Sequence, residues 1–412
     1  MTNPKPKSSE AVPRFPWGET LPAVVQSVAY QYDTAEELEA VFDGSLPGYN
    51  YTRVGNPTTT ALEARLTALD QGRGAVAVAS GMAASTAVAI ALLQQGDHIV
   101  AARGMFAGTV SLFEDTLSRF GITITFVEAG DTEAVLTALQ DNTRMVFVEI
   151  MGNPKLDVPD LPAIAKVTRP RRIPLVVDST LMTPAVVRPK ELDVDVVVYS
   201  TSKYIHGHGT AIGGAVVDTG NYDWAVGPFV EIQELAQDYG DEAFLAYLRN
   251  VVTRNLGGCP APWNSFLTVQ GLQTLTLRMQ QHCENARQLA IWLEQHSAVT
   301  CVNYAGLPAS PYYQRVKDYF GGNGGALLTF CLGSRAKAWR FLDHVRLAKQ
   351  AANLGDVHTL VIHPSSTIFH SYDLATQQEM GVTEDMIRVS VGLEAWPELR
   401  DDFDQALQQV GK

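Results

Sequence analysis

The chain has no uninterrupted apolar run long enough to span a bilayer, so it reads as a protein without membrane helices. It is also short of basic charge. Lys and Arg number 31 against 44 Asp and Glu, which leaves a formal charge of −13 at pH 7. That deficit argues against nucleic acid, which needs a basic footprint, and against an anionic membrane surface. Cysteine is scarce. Cys259, Cys283, Cys301 and Cys331 lie far apart with no C-x-x-C pair. Reduced thiols in a cytosolic enzyme are expected, rather than a disulfide framework or a zinc site. The first ten residues are Lys-, Pro- and Ser-rich without an apolar stretch, so no secretory signal is expected and cytoplasm is the default location. Internal repeats are absent, as are the GxGxxG and GxxxxGK[ST] spacings of nucleotide sites.

What remains is ordinary globular material, 46% hydrophobic and 18% charged over 412 residues. That length favours two domains. Residues 1–60 are irregular, rich in Pro, Gly, Tyr and Asn. From residue 58 onwards helix and strand patterns alternate. Strands are expected at 75–79, 98–102, 122–127, 143–150, 173–178 and 194–200. Helices are expected at 58–69, 82–95, 109–120, 132–140 and 161–167. Short apolar strands with intervening helices imply an α/β fold with a mostly parallel sheet covered on both faces. Ligands in such folds sit at the carboxyl ends of the strands. Beyond residue 220 the pattern changes. Residues 222–254 are polar with aromatic interruptions, and 266–296 read as one long helix. Strands return at 299–304, 325–332 and 386–391, before a last helix at 396–409, which is an α+β pattern.

Four features fall at expected strand ends. Lys203 follows an apolar run and Ser200-Thr-Ser. A lysine there needs a partner or a covalent use such as a Schiff base, unless it is simply a surface charge after an edge strand. Asp178 ends an otherwise apolar strand and needs a cationic partner to stay ionised, or else caps the next helix. Ala79-Ser-Gly81-Met82 runs from a strand into a helix of small residues, a geometry that can cradle a phosphate. Phe106 stands between a strand end and a helix start, where it could stack on a planar cofactor or pack into the core. A lysine, an acid and a phosphate nest together fit pyridoxal 5′-phosphate (PLP).

These residues and several others resemble the Cys/Met-metabolism family of PLP-dependent enzymes. Ser200-Thr-Ser-Lys203 followed by Gly207-His-Gly-Thr-Ala-Ile-Gly-Gly214 is similar to its cofactor-attachment segment. Tyr51-Thr-Arg-Val-Gly-Asn-Pro-Thr58 is similar to its Tyr-x-Arg-x-x-Asn-Pro-Thr element. Asn255-Leu-Gly257, Gly271-Leu-Gln-Thr-Leu275, the run from Gly355 to Pro364, and Arg388-Val-Ser-Val-Gly-Leu-Glu394 resemble its later markers. The resemblance covers nearly the whole chain after Leu21. It implies the aspartate-aminotransferase-like (type I) PLP fold, with a large mixed, mostly parallel sheet domain and a smaller α+β C-terminal domain. The implied division is an arm at 1–60, a PLP-binding domain at 61–256 and a C-terminal domain at 257–412.

The resemblance also implies roles. Lys203 would carry the covalent link to PLP and then shuttle protons. Asp178 would hold the proton of the pyridine nitrogen. Gly81 and Met82, with Ser200 and Ser202, would bind the phosphate. Tyr51 and Arg53 would reach the phosphate of a neighbouring subunit in a homotetramer, a dimer of dimers. Asn153 would bond the phenolic oxygen of the cofactor and lie against the substrate. Arg388 would grip the substrate carboxylate. Thr359 would lie near the lysine and the substrate. His206, His208, His363 and His370 are expected to be loop and packing residues, because the lysine already moves the protons.

One position departs from the family. Met105-Phe106-Ala107-Gly108-Thr109 stands where the family usually has Leu-Tyr-Gly-Gly/Cys-Thr. Phe106 keeps the stacking ring and lacks the hydroxyl proposed to assist the departing γ-group. Within the family, Gly207 to Asp218 and Asn353-Leu-Gly-Asp356 are nearest the O-acetylhomoserine sulfhydrylase branch. The implied reaction is γ-replacement, in which a thiol adds to a vinylglycine-type intermediate. The alternative is a γ-lyase acting on methionine or another amino acid with a γ-heteroatom, such as canavanine, with water as the attacking group. Phe106 and the segment 365–371 favour such a substrate. Cystathionine γ-synthase and a non-catalytic PLP-binding protein stand behind both.

Overall fold

Residues 18–411 are described by a computed structural model, and the tail at 1–17 and Lys412 lie outside the described residues. Two sheets organise them, each against its own apolar core. The larger sheet contains β1 (Gly74–Val78), β2 (His98–Ala102), β3 (Thr123–Val127), β4 (Thr143–Glu149), β5 (Leu175–Asp178), β6 (Val196–Tyr199) and β7 (Gly214–Asp218). Its order is β1-β7-β6-β5-β4-β2-β3. Strands β2 to β6 pair in parallel, whereas β7 is antiparallel to both its neighbours, β1 and β6. The Val-rich strands β4, β5 and β6 are buried along nearly their whole length. That is the signature of a parallel sheet covered on both faces. Their carboxyl ends bring Glu149, Asp178 and Ser200 to one edge of the sheet.

The smaller sheet contains β8 (Cys301–Asn303), β9 (Leu327–Cys331), β10 (Lys349–Gln350), β11 (Leu360–Ile362) and β12 (Met386–Ser390), in the order β10-β11-β12-β9-β8. Its core is aromatic. Phe341 meets both Phe330 and Phe403 edge-on, each at 5.3 Å between ring centroids. The central strand β12 carries Arg388 toward the larger sheet's site.

Most expected elements are present, with informative differences. The expected helix at 109–120 is a short α-helix, Ala107–Ser111, then a wide π-helical turn, Leu112–Thr116, and a tight 3₁₀ turn, Leu117–Phe120. The expected helix at 266–296 is two, Pro262–Leu272 and Leu275–Glu294. At Gly271, near the break, the chain crosses the Lys203 loop so closely that a Cβ would lie 2.3 Å from the His206 carbonyl oxygen. Strands β7, β10 and β11 were not among those expected, nor was the helix Val230–Tyr239 within the polar segment. The aromatics of that segment pack together: Trp224 stacks on Phe244 at 4.1 Å and donates its indole N–H to Asp218.

The cysteine expectation needs correction. Cys301 and Cys331 face each other on β8 and β9, with Cα atoms 5.1 Å apart, and form a disulfide. Their distance in sequence conceals a register that sets them directly opposite. Cys259 and Cys283 are free thiols. Among the described residues no helix is long and apolar enough to cross a membrane.

Candidate active site

A cavity of about 250 Å³ opens at the carboxyl edge of the large sheet, closed on its other side by β12 and the loop at 352–354. One wall is the turn from β1 into the helix Gly81–Leu92. Ser80 caps that helix, its hydroxyl accepting the Ala83 amide at 3.1 Å. The Gly81 and Met82 amides belong to the first turn and have no acceptor within the helix. Gly81 lies against the strand-end serine of β6, and a Cβ there would meet Ser200 Cβ at 2.6 Å. Ser202 spans the same wall, exchanging hydrogen bonds with the Gly213 amide and carbonyl at 3.0 and 3.1 Å. Ser80, Gly81, Met82, Ser200 and Ser202 therefore line one end of the cavity with hydroxyls and a helix N-terminus. That is a donor set for a phosphate.

Asp178 ends β5 at the cavity floor. Its Oδ1 accepts the Thr180 amide at 2.9 Å, and the Thr180 hydroxyl in turn accepts the Ser200 amide at 2.8 Å. Burial raises the Asp178 pKa above its ordinary value, and Thr180 counters part of that effect. Beside it in register, on β4, stands Glu149.

Lys203 follows β6 in a tight turn. Its ammonium donates to Asn353 Oδ1. Burial, and then the neighbouring Arg388 charge, lower its pKa. Arg388 is 3% exposed, and burial pushes its guanidinium down to about 10. It donates to Asn153 Oδ1 at 3.1 Å and to the Asn353 carbonyl at 2.9 Å, while its Nε is buried without a partner. The loop that carries Asn353 presses against the lysine turn. At Gly355, with φ +76°, a Cβ would lie 2.5 Å from the Tyr204 nitrogen. Phe106 stands at the mouth, 41% exposed, and Ile368 flanks the same cavity.

Of the expected site residues, Gly81, Met82, Phe106, Asn153, Asp178, Ser200, Ser202, Lys203 and Arg388 come together in this cavity. Thr359 does not line it. That residue is fully buried, its hydroxyl donating to Glu394 at 2.7 Å and accepting the Gly392 amide at 2.9 Å. Tyr51 and Arg53 line a different surface cavity with Tyr49, Arg249 and Arg254. There the Arg53 guanidinium lies 5.3 Å over the Tyr51 ring and donates to the Arg254 carbonyl. His208, His363 and His370 bond to loop carbonyls and His206 to the Leu267 carbonyl of the helix Pro262–Leu272, all outside the cavity lining. Glu149, Thr180 and Asn353 were missed as site residues. For Glu149 the signal was present: it is a carboxylate at the end of an apolar strand, as Asp178 is.

The residues present fit PLP. The hydroxyl and amide nest suits its phosphate, the buried Asp178 suits a protonated ring nitrogen, and the half-buried Lys203 suits its aldehyde. Fold and site thus define a type I PLP-dependent enzyme. The chain belongs to the family described as Cys/Met metabolism PLP-dependent enzyme, whose sequence profile matches residues 9–408. It is 38% identical to the O-acetyl-L-homoserine sulfhydrylase of Corynebacterium glutamicum, covering 92% of this chain and 91% of that one. It is 34% identical to the L-methionine gamma-lyase of Fusobacterium nucleatum, covering 94% and 93%. A Campylobacter jejuni protein described as an O-acetylhomoserine (thiol)-lyase superposes with a TM-score of 0.90 at 30% identity, over 97% of this chain and 98% of that one. Its crystal structure carries N′-pyridoxyl-lysine-5′-monophosphate.

Proposed function

We propose that this enzyme catalyses γ-replacement on an O-acylated homoserine, with sulfide or a small thiol as the entering group. PLP, when bound, supplies the electron sink that stabilises negative charge next to the substrate amino group. Arg388 would hold the substrate carboxylate through its guanidinium fork, for which Nε is still unpaired. Lys203, with its depressed pKa, would take the Cα proton as a neutral amine and move protons along the chain to Cγ. Asp178 would keep its charge against the ring nitrogen. Asn153 would serve both cofactor and substrate.

The observation that carries this reading is Phe106. The residue at the cavity mouth offers a ring and no proton. An acetate-like leaving group departs as a stable anion and needs none. The same apolar wall, extended by Ile368, favours a second reading: γ-elimination from another amino acid with a stabilised γ-heteroatom group. We test the two by following product from O-acetylhomoserine with and without sulfide. Sulfide-dependent homocysteine supports γ-replacement. Homoserine or 2-oxobutanoate formed from another amino acid, with no sulfide-dependent product, overturns it.

The working form would be a dimer of dimers. Tyr51 and Arg53 lie outside the Lys203 cavity and would complete the neighbour's phosphate site. The arm would span 1–60, the PLP-binding domain 61–256 and the C-terminal domain 257–412. Thr359 would act on the substrate through the loop it braces with Glu394. An acidic enzyme of small-molecule metabolism fits the cytoplasm.

A further inference from the structure

Glu149 is the one ionisable residue in the cavity lining to which the chemistry above gives no task. It ends β4 directly beside Asp178 of β5, so the two carboxyl groups leave the same face of the sheet on adjacent strands. Glu149 is 8% exposed. Its Oε1 accepts the Phe106 amide at 2.7 Å, and its Oε2 is buried with no hydrogen bond of its own, the neighbouring Asn153 amide donating at 3.2 Å to the Gly104 carbonyl instead. Phe106 heads the short helix Ala107–Ser111 and has no side-chain cap of its own, so this bond is the side-chain tie of the Phe106 amide to the sheet floor, beside the backbone bond from the Asn153 amide to the Gly104 carbonyl at 3.2 Å.

Two carboxylates held side by side in a closed site do not both ionise. Thr180 settles which one does. Asp178 receives the Thr180 amide, and Thr180 is itself fixed by Ser200. Glu149 receives the Phe106 amide on one oxygen, leaving the other bare. A bare buried oxygen suits an acid that keeps its proton, because the O–H needs less solvation than the anion. The charged groups facing Glu149 agree, and they outweigh the opposing effect of the Phe106 and Asn153 amides. Asp178 and the buried Asp157 both disfavour its charge, and Lys203 and Arg388, across the cavity, pair with Asn353 and Asn153 instead. Burial first, and Asp178 second, push the Glu149 pKa well above the usual range.

We propose that Glu149 is a positioning residue: in its protonated form it anchors the Phe106 loop to the end of β4 and leaves the charge that faces the ring nitrogen on Asp178 alone. The inference rests on the cofactor and holds whichever γ-substituent leaves, so its failure does not touch the substrate reading, nor the reverse.

The test uses PLP-loaded protein with Glu149→Gln and Glu149→Leu. Glutamine keeps an acceptor for the Phe106 amide and is neutral, as the proposed acid is; leucine has no acceptor. Three quantities are read: hydrogen exchange of the peptide containing Phe106, the pH midpoint of the bound cofactor's visible band, and kcat and KM. The expected result is that Glu149→Gln matches wild type in exchange and in midpoint. Glu149→Leu exchanges about tenfold faster at Phe106, the size of one lost hydrogen bond. Its KM rises more than its kcat falls. A midpoint shift of about one pH unit or more in Glu149→Gln would show that the native group is charged, and overturns the proposal. Unchanged exchange in Glu149→Leu overturns the anchor. If the leucine variant does not fold, Glu149→Gln decides: wild-type exchange and midpoint support the neutral acid, and a change in either rejects it.

Discussion

The Lys203 ammonium is held by the side-chain carbonyl of Asn353, and the Asn353 backbone carbonyl holds Arg388. One residue of the C-terminal region thereby spaces the lysine of the large sheet from the arginine of the small one. Replacing the asparagine by alanine removes one bond to a charged amine and leaves the cavity wall. In Asn353→Ala we expect kcat to fall about 10- to 100-fold, since a lost hydrogen bond to a charged group of roughly 1.5–3 kcal/mol is about that factor in rate. PLP affinity should change little. Steady-state kinetics beside cofactor titration check this, and an unchanged kcat would remove Asn353 from the account. Lys203→Ala should abolish the covalent cofactor band and lower kcat by at least about 10²-fold.

Arg388 tests the clamp. Lysine at this position keeps the charge and loses the planar fork. The bonds to Asn153 and the Asn353 carbonyl come from separate guanidinium nitrogens, and an ammonium, with its three donors on one atom, has no parallel N–H pair left to grip a carboxylate. We expect Arg388→Lys to raise KM by about 10- to 100-fold, corresponding to the roughly 1.5–3 kcal/mol of a charge-assisted hydrogen bond. The visible band of the cofactor should persist, because the role proposed for Arg388 is on the substrate side. Loss of the band in this variant would place Arg388 with the cofactor instead.

Phe106 separates cofactor binding from substrate choice. Its ring lines the cavity and is partly exposed at the mouth, so an added hydroxyl is expected to leave it in place. Phe106→Tyr should therefore retain PLP with an affinity within about threefold, as a hydroxyl on a partly exposed ring changes packing little. The ratio of kcat/KM between an O-acyl substrate and a thioether substrate should move toward the thioether, whose leaving thiolate benefits most from a proton. A ratio that stays put would mean that this position does not set leaving-group preference.

These predictions also show which parts of the site the sequence made legible. Lys203, Asp178, Gly81 and Phe106 stand at strand ends, and alternating strand and helix patterns are enough to bring strand ends to one edge. Arg388 and Asn153 were readable only through motif resemblance, because nothing local says that β12 of a second sheet faces the first. Asn353 and Glu149 were missed for different reasons. The Asn353 loop reaches the lysine by a close backbone crossing at Gly355, which is a tertiary fact. Glu149 carried the same strand-end signal as Asp178, but a carboxylate without a known partner gave no reason to single it out. The Cys301–Cys331 bridge depends on strand register, which spacing in sequence does not reveal.

A buried acid away from the cavity gives the fold a pH dependence of its own. Asp70 ends the helix Pro57–Asp70, is 1% exposed, and accepts the Tyr199 hydroxyl at 2.7 Å. Burial pushes its pKa up to about 7 against the lowering effects of Tyr199 and Arg188. The folded state then binds the proton more tightly than the unfolded chain. Stability from this group is full below the unfolded carboxylate value and is lost as pH rises through the folded one. Between roughly pH 4 and 7 the loss runs at up to about 1.4 kcal/mol per pH unit. Asparagine keeps an acceptor for Tyr199 and has no proton to lose. Asp70→Asn should therefore unfold at a higher urea concentration than wild type at pH 8 and converge with it near pH 4. Equilibrium unfolding of both proteins across that range is the measurement. Parallel curves at all pH values would show that Asp70 does not titrate in the fold.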